Sequence, residues 1–231
     1  MNYVQFEGNA SYCEVPDSPA LSVATSGSLS IAAWMRPDTL DFPVVEGSGY
    51  VHWLGKGQTG RQEWTFRMYS RGNSENRANR ISFYVFHPDG GQGIGAYVQE
   101  PVSPGEWIHL VGVADGALVH IYKNGDHKNA QEYGGKITPV HGSAPVRFGT
   151  RDFQSFFRGA LGEIRIWQRA ISADEVMALH EGSSVPDTDL VAEYLFDLGQ
   201  DSAGGHDAVV KGALWGSDPA RAMMTSGFPS L

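Results

Sequence analysis

The sequence predicts an all-β protein, a sandwich of two antiparallel sheets, and three observations carry that prediction. The 29 glycines and 12 prolines are scattered without a period, so the chain is cut by many turns into many short segments. Apolar residues alternate with polar ones over short runs, the pattern of strands with one buried face. Only one segment has the pattern of a helix. With 231 residues and a 41% apolar share, the chain is long enough for one large sandwich and apolar enough to fill it. Residues 1–231 are therefore read as a single domain.

Taken in order, strand patterns fall at residues 3–6, 28–35, 50–55, 64–69, 80–86, 95–99, 107–114, 118–123, 146–149, 162–167 and 190–196, with Gly, Pro, Asn or Asp between them. In 80–86, alternation places Ile81, Phe83 and Val85 on one face and Ser82, Tyr84 and Phe86 on the other. The glycine-rich run from Gly55 to Gly60 is read as a hairpin turn and not a phosphate loop, because Lys56 is followed by Gly57 and no helix pattern comes after. Asn124-Gly125 is the pair that a two-residue type I′ hairpin requires. The helix is predicted over 172–180, with Ser172 as its N-cap, Glu175 completing a capping box and Gly182 beyond its end. Trp34 and Trp107, on strands with apolar neighbours, are expected in the core. In 163–167, Ile164 and Ile166 are expected inside, with Arg165 outward in an ion pair.

Composition narrows the function. A formal charge of −9 argues against nucleic acid, whose binding relies on Lys and Arg neutralising phosphates. No apolar run has the length of about 18 residues that a membrane span needs. The single Cys13 forms no intrachain disulfide and is expected to be a small packing residue. No charged-then-apolar leader with a cleavage site is read at the N terminus. The compartment is left open between the cytoplasm and the outside of the cell with a leader already removed. The histidines form no helical His-x-x-x-His pair of the zinc hydrolases. Oligomeric state is not readable.

Several motifs follow one another in order: Phe6-Glu7-Gly8, residues 12–17 (YCEVPD), 29–34 (LSIAAW), Trp107-Ile108-His109, 121–125 (IYKNG), Phe148-Gly149 and 159–172 (GALGEIRIWQRAIS). Together they resemble the laminin-G-like domains, concanavalin A-like jelly rolls, over roughly residues 3–182. The resemblance implies the sandwich already read, with 189–215 as a closing C-terminal strand and loop. It also implies a calcium site near the joined termini, with Glu7, Asp197, Asp201 and Asp207 as the oxygen ligands suited to that ion. Glu7 stands where similar domains carry Asp.

The expected work is glycan binding. Rings stack on the C–H faces of sugars while charged groups fix the hydroxyls. Alternation turns Arg67, Tyr69, Tyr84, Phe86 and Tyr97 outward on neighbouring strands, with His52, Arg151 and Asp152 added from the flanking segments. The expected partner is an oligosaccharide or polysaccharide. Three alternatives stand beside it. His52, Tyr69, Tyr84, His87, Arg67 and Arg151 could supply the acids, bases and charge-neutralising groups of a polysaccharide lyase, and a glycosidase would need a facing carboxylate pair. The face could bind a protein in adhesion. A loop could cover it as a second small core.

Overall fold

Fifteen strands and two helices are found in chain order: β1 (Asn2–Glu7), β2 (Tyr12–Val15), α1 (Val23–Ser26), β3 (Leu29–Pro37), β4 (Tyr50–Gln58), β5 (Arg61–Tyr69), β6 (Ile81–His87), β7 (Gln92–Val98), β8 (Ile108–Ala114), β9 (Leu118–Lys123), β10 (Asp126–Glu132), β11 (Val146–Phe148), β12 (Arg158–Trp167), α2 (Ala173–His180), β13 (Leu190–Tyr194), β14 (Val209–Lys211) and β15 (Leu214–Ser217). The structure, a computed structural model, describes residues 1–87, 91–196 and 200–219, and these elements are those of the described residues. The strands form two antiparallel sheets. The first runs β10-β9-β8-β3-β12-β1-β15, with β13 also paired to β12; the second runs β14-β2-β11-β4-β5-β6-β7. Each sheet therefore mixes strands from both ends of the chain.

Between the sheets lies one continuous apolar cluster. β3 contributes Ile31, Ala33 and Met35, β12 contributes Ile164 and Ile166, and the facing sheet contributes Trp53, Phe66 and Phe83. The rings of Trp53 and Phe66, and those of Phe66 and Phe83, are 4.7 Å apart. A side chain of this size stabilises the fold by roughly 1.5–3 kcal/mol when fully buried. Cys13 belongs to the same cluster, and burial pushes its thiol up to about 12.

Local chemistry explains most of the turns. Asn124 and Gly125 have φ of 53° and 86°, the positive pair that a type I′ hairpin between β9 and β10 needs. Lys56 is fully buried, and its ammonium donates to Asp17 Oδ1 at 2.6 Å, Glu63 Oε1 at 2.6 Å and the carbonyls of Ala144 at 2.8 Å and Gly142 at 3.2 Å. This lysine ties two loops to the β4–β5 hairpin. A buried ammonium is tolerated when its donors are so matched.

α2 lies on the outside of the first sheet, with Val176 and Leu179 packed in a second cluster with Ala32, Val111, Tyr122 and Trp167. Its capping box is complete: Ser172 Oγ accepts from the Glu175 N–H and Glu175 reaches back to the Ser172 N–H at 2.7 Å. Both Glu175 oxygens also accept from Arg169, at 3.0 and 2.6 Å.

The structure departs from the sequence reading in places. β2, β14 and β15 were not expected, and β10 was implied only as the second arm of the Asn124-Gly125 hairpin. β10 reads DHKNAQE, with no apolar alternation, and forms because the tight turn delivers it to β9. Trp34 is buried, at 7%, but not between the sheets: its neighbours Ala33 and Met35 point inward, so Trp34 packs on the outer face of the first sheet against His109 and His180. Trp107 sits half-buried against Tyr3, with ring centres 5.7 Å apart, and under Arg36. Of the C-terminal segments, β13 pairs with β12, while β14 pairs with β2 and β15 with β1.

The hydrogen bonds from Arg169, with help from the Ser172 N–H, hold the Glu175 carboxyl at about 2, below its ordinary 4.5. A depressed carboxyl stabilises the fold above its unfolded value and loses that contribution as pH falls through the folded one. Glu175→Gln is therefore expected to lower the melting temperature at pH 7 and to converge with the parent as pH approaches 2. Thermal melts across that range check it; a difference constant in pH would contradict the assignment.

Candidate functional site

Strands β4 to β7 present an outer face whose composition follows from their registers. Tyr50 pairs with Tyr69 and His52 with Arg67 across β4 and β5; Thr65 pairs with Tyr84 and Arg67 with Ser82 across β5 and β6; Tyr84 pairs with Gly95 and Phe86 with Gly93 across β6 and β7. Since Phe66, Phe83 and Val85 face the core, these partners all face out. Rings from three strands thus meet on one surface.

Arg67 is the centre of that surface. Its guanidinium carbon lies 4.4 Å from the ring centre of Tyr50, 4.3 Å from that of Tyr84 and 5.5 Å from that of Phe86. It is held by π faces, and its buried Nε has no hydrogen-bond acceptor among the described residues. Tyr84 stacks beside Phe86 with ring centres 5.7 Å apart at 24°, and its hydroxyl bonds that of Tyr97. Arg77, from the loop between β5 and β6, lies 4.7 Å over Tyr97. Burial raises the phenols of Tyr50, Tyr84 and Tyr97 above their ordinary range, so each remains a hydroxyl donor.

Glycines on β7 make this arrangement fit. A Cβ added at Gly95 would come within 2.4 Å of the Tyr84 ring, and one at Gly93 within 2.4 Å of Phe86. The rings lie flat over the neighbouring strand because no side chain stands there.

Beside the rings runs an enclosed polar network. His52 Nδ1 is 2.8 Å from Thr65 Oγ1, and His52 Nε2 is 3.2 Å from Glu46 Oε2. The other Glu46 oxygen is 3.5 Å from Arg151 Nη2, which donates to Asp152 Oδ2 at 2.6 Å; Thr59 Oγ1 donates to that same oxygen at 2.9 Å. Burial, and then the charges of Arg151 and Arg67, hold the His52 pKa well below its ordinary value, so the imidazole is neutral.

The residues expected at the surface thus divide. Arg67 and Tyr97 are partly exposed; Tyr84 and Phe86 are nearly covered, at 9% and 3%. His52, Tyr69 and Arg151 have no exposure and Asp152 is buried. These four meet the protein itself: Glu46 of loop 43–49 reaches His52 and Arg151, the His52 N–H bonds Ser155 Oγ in the turn that carries Arg151 and Asp152, and Arg77 lies 5.9 Å over the Tyr69 ring. Tyr69 bonds Ser82 Oγ at 3.2 Å. Glu46 and Arg77 went unnamed in the sequence because both lie in loops, where no periodicity points a side chain.

Of the four carboxylates expected to hold calcium, Glu7, Asp201 and Asp207 lie among the described residues. Asp201 accepts four backbone N–H bonds, from Glu193, Ala203, Gly204 and His206, at 2.7–2.9 Å, which engages both its oxygens as a turn cap. Asp207 accepts from the Asp201 N–H. Glu7 stands at the end of β1, opposite Arg158. Asp197 lies outside the described residues. Among the described residues, no three His, Cys, Asp or Glu side chains are grouped to hold a metal ion.

Comparison with known proteins adds the family. The model of the laminin-G type described as the concanavalin A-like lectin/glucanases superfamily matches residues 7–177. A candidate carbohydrate-binding protein from Bacteroides ovatus superposes with a TM-score of 0.68 at 16% identity, over 95% of this chain and 60% of that one. The chain thus spans three-fifths of that protein's length. The heptameric SAP-like pentraxin of Limulus polyphemus superposes with 0.65 at 14% identity, over 97% of each chain. Domain 4 of an extracellular arabinanase from Geobacillus stearothermophilus, solved with arabinotriose, gives 0.52 at 18% identity, over 72% of this chain and 71% of that one. At these identities the likeness is one of fold. No curated protein matches the chain.

Gly95→Ala tests the packing of the rings. In a strand interior alanine gains about 0.5–1 kcal/mol over glycine, but displacing the Tyr84 ring costs about 1–3 kcal/mol. Net destabilisation in urea unfolding is expected; a variant as stable as the parent would show that the ring does not depend on the gap.

Proposed function

Because the chain belongs to the concanavalin A-like lectin/glucanases superfamily, we propose that it is a carbohydrate-binding module whose glycan lies across the outer face of β4 to β7. One observation carries the reading: Arg67 is partly exposed, gripped between Tyr50 and Tyr84, and has no ion-pair or hydrogen-bond partner among the described residues. A guanidinium aligned by rings and lacking an acceptor is preorganised for the hydroxyl or carboxylate oxygens of a sugar. Tyr50 and Tyr97, also partly exposed, offer ring faces and hydroxyls beside it. The carbohydrate-binding description of the Bacteroides protein and the arabinotriose bound to the arabinanase domain support the same ligand class. His52, Arg151 and Asp152 hold the loops that border the face and do not touch the sugar.

Binding fits this face better than elimination or hydrolysis. A tyrosine that takes a proton needs its phenol lowered toward neutrality, whereas burial raises Tyr84 and Tyr97. The imidazole of His52 is fully enclosed.

An array of bacterial, plant and animal oligosaccharides would identify the ligand, and titration calorimetry would then compare variants. Arg67→Ala is expected to weaken binding about tenfold or more, the effect of removing a hydrogen bond from a charged group, with an unchanged circular dichroism spectrum. Affinity is expected to persist in chelator, since rings and a guanidinium make the contacts. No glycan bound by the parent, or equal affinity in Arg67→Ala, would remove the proposed face.

A further inference from the structure

On the outer side of the first sheet, two imidazoles meet. Val119 and Ile121 of β9 point into the core, so His120 and Tyr122 point out. His127 is paired with Tyr122 across the β9–β10 hairpin and therefore shares that face, diagonal to His120. A register break follows at once, between His127 and Asn129, a bulge of the kind that re-aims a side chain. The result is a close approach, with His120 Nδ1 3.3 Å from His127 Nε2. The Tyr122 ring stands beside both, its centre 4.9 Å from that of His127 and 6.4 Å from that of His120.

The surrounding bonds fix which nitrogen faces which. Asp115 Oδ1 accepts from the Ala117 N–H at 2.8 Å and the Leu118 N–H at 2.6 Å, while its Oδ2 lies 3.0 Å from His120 Nε2. An ionised carboxylate only accepts, so the proton of a neutral His120 sits on Nε2, and Nδ1 presents a lone pair toward His127. A hydrogen bond to the Asn129 backbone holds the second ring. An imidazole whose far nitrogen is tied to a carboxylate is the arrangement that orients histidine toward a metal.

The spacing matches one metal geometry. Zinc–nitrogen bonds of about 2.0–2.1 Å at tetrahedral angles place two ligand nitrogens about 3.3–3.4 Å apart. The observed separation is that edge, whereas the right angles of a square-planar ion would draw the nitrogens closer. Two imidazoles are the whole protein share, since Asp115 orients and does not ligate. His127 is exposed and His120 half-buried, so water reaches the two remaining positions. The neighbouring cations Lys123 and Lys128 are both drawn to Glu100.

We propose that His120 Nδ1 and His127 Nε2 bind a zinc ion, with Asp115 as the positioning residue of His120. The site shares no residue with the β4 to β7 face and does not rest on the glycan reading. Zinc titrated calorimetrically into the chelator-treated full chain is expected to bind at one site, and His120→Ala or His127→Ala to abolish that binding. Asp115→Asn should weaken it about 10–100-fold, the usual effect of losing such an outer partner. Its amide would donate to Nε2 and move the His120 proton to Nδ1, a tautomer change read from imbibed imidazole nitrogen resonances in NMR. In the parent, of the eight histidines, zinc should shift the nitrogens of His120 and His127 alone. No zinc uptake, undiminished uptake in His127→Ala, or shifts centred on other histidines would each overturn the proposal.

Discussion

Everything on the outside of this molecule depends on the alternation of side chains along β3 to β7 and β12. A strand that sends Phe66 or Phe83 inward has no freedom over where its neighbours go. Arg67, Tyr84 and Phe86 stand outside because Phe66, Phe83 and Val85 stand inside. A slip of one residue would bury a guanidinium and expose a core, and the apolar cluster forbids it. One relaxation among several is the irregularity between His52 and Leu54 on β4, where Trp53 and Leu54 both join the core. There the extra residue changes which side the strand shows beyond it.

Two cations illustrate how partners separate structural from functional charge. Lys56 is sealed from solvent, with two carboxylates and two carbonyls on its ammonium; it has nothing left to offer a ligand. Arg67 reaches the surface with aromatic rings as its only described neighbours by charge or π contact. Arg151 stands between them, enclosed but paired with Asp152. Sequence alone does not separate these cases, since all three are basic residues on or beside strands of one sheet.

That contrast marks where the sequence was readable. The hairpin at Asn124-Gly125, the capped helix from Ser172 and the inward set of 81–85 follow from local rules, because backbone sterics and period-two alternation need no knowledge of distant residues. Alternation also told which side of β5 and β6 the candidate rings occupy. It could not tell how deeply they lie. His52 vanishes beneath segments far away in sequence, Tyr69 lies under Arg77 from the loop that follows its strand, and Trp34 is buried as its apolar neighbours suggested, but against His109 and under α2 and not between the sheets. Strand β10 was legible only as the second arm of that hairpin, because an edge strand so polar carries no periodic signal from which to read its length.

The helix has one further consequence. By roofing part of the first sheet, α2 creates a walled recess on one exterior of the sandwich while the β4 to β7 exterior stays a broad ringed platform. The two exteriors are separated by a core about 10 Å thick, as in any pair of stacked sheets, and they look in opposite directions. A short ligand held by one exterior therefore cannot wrap round to the other.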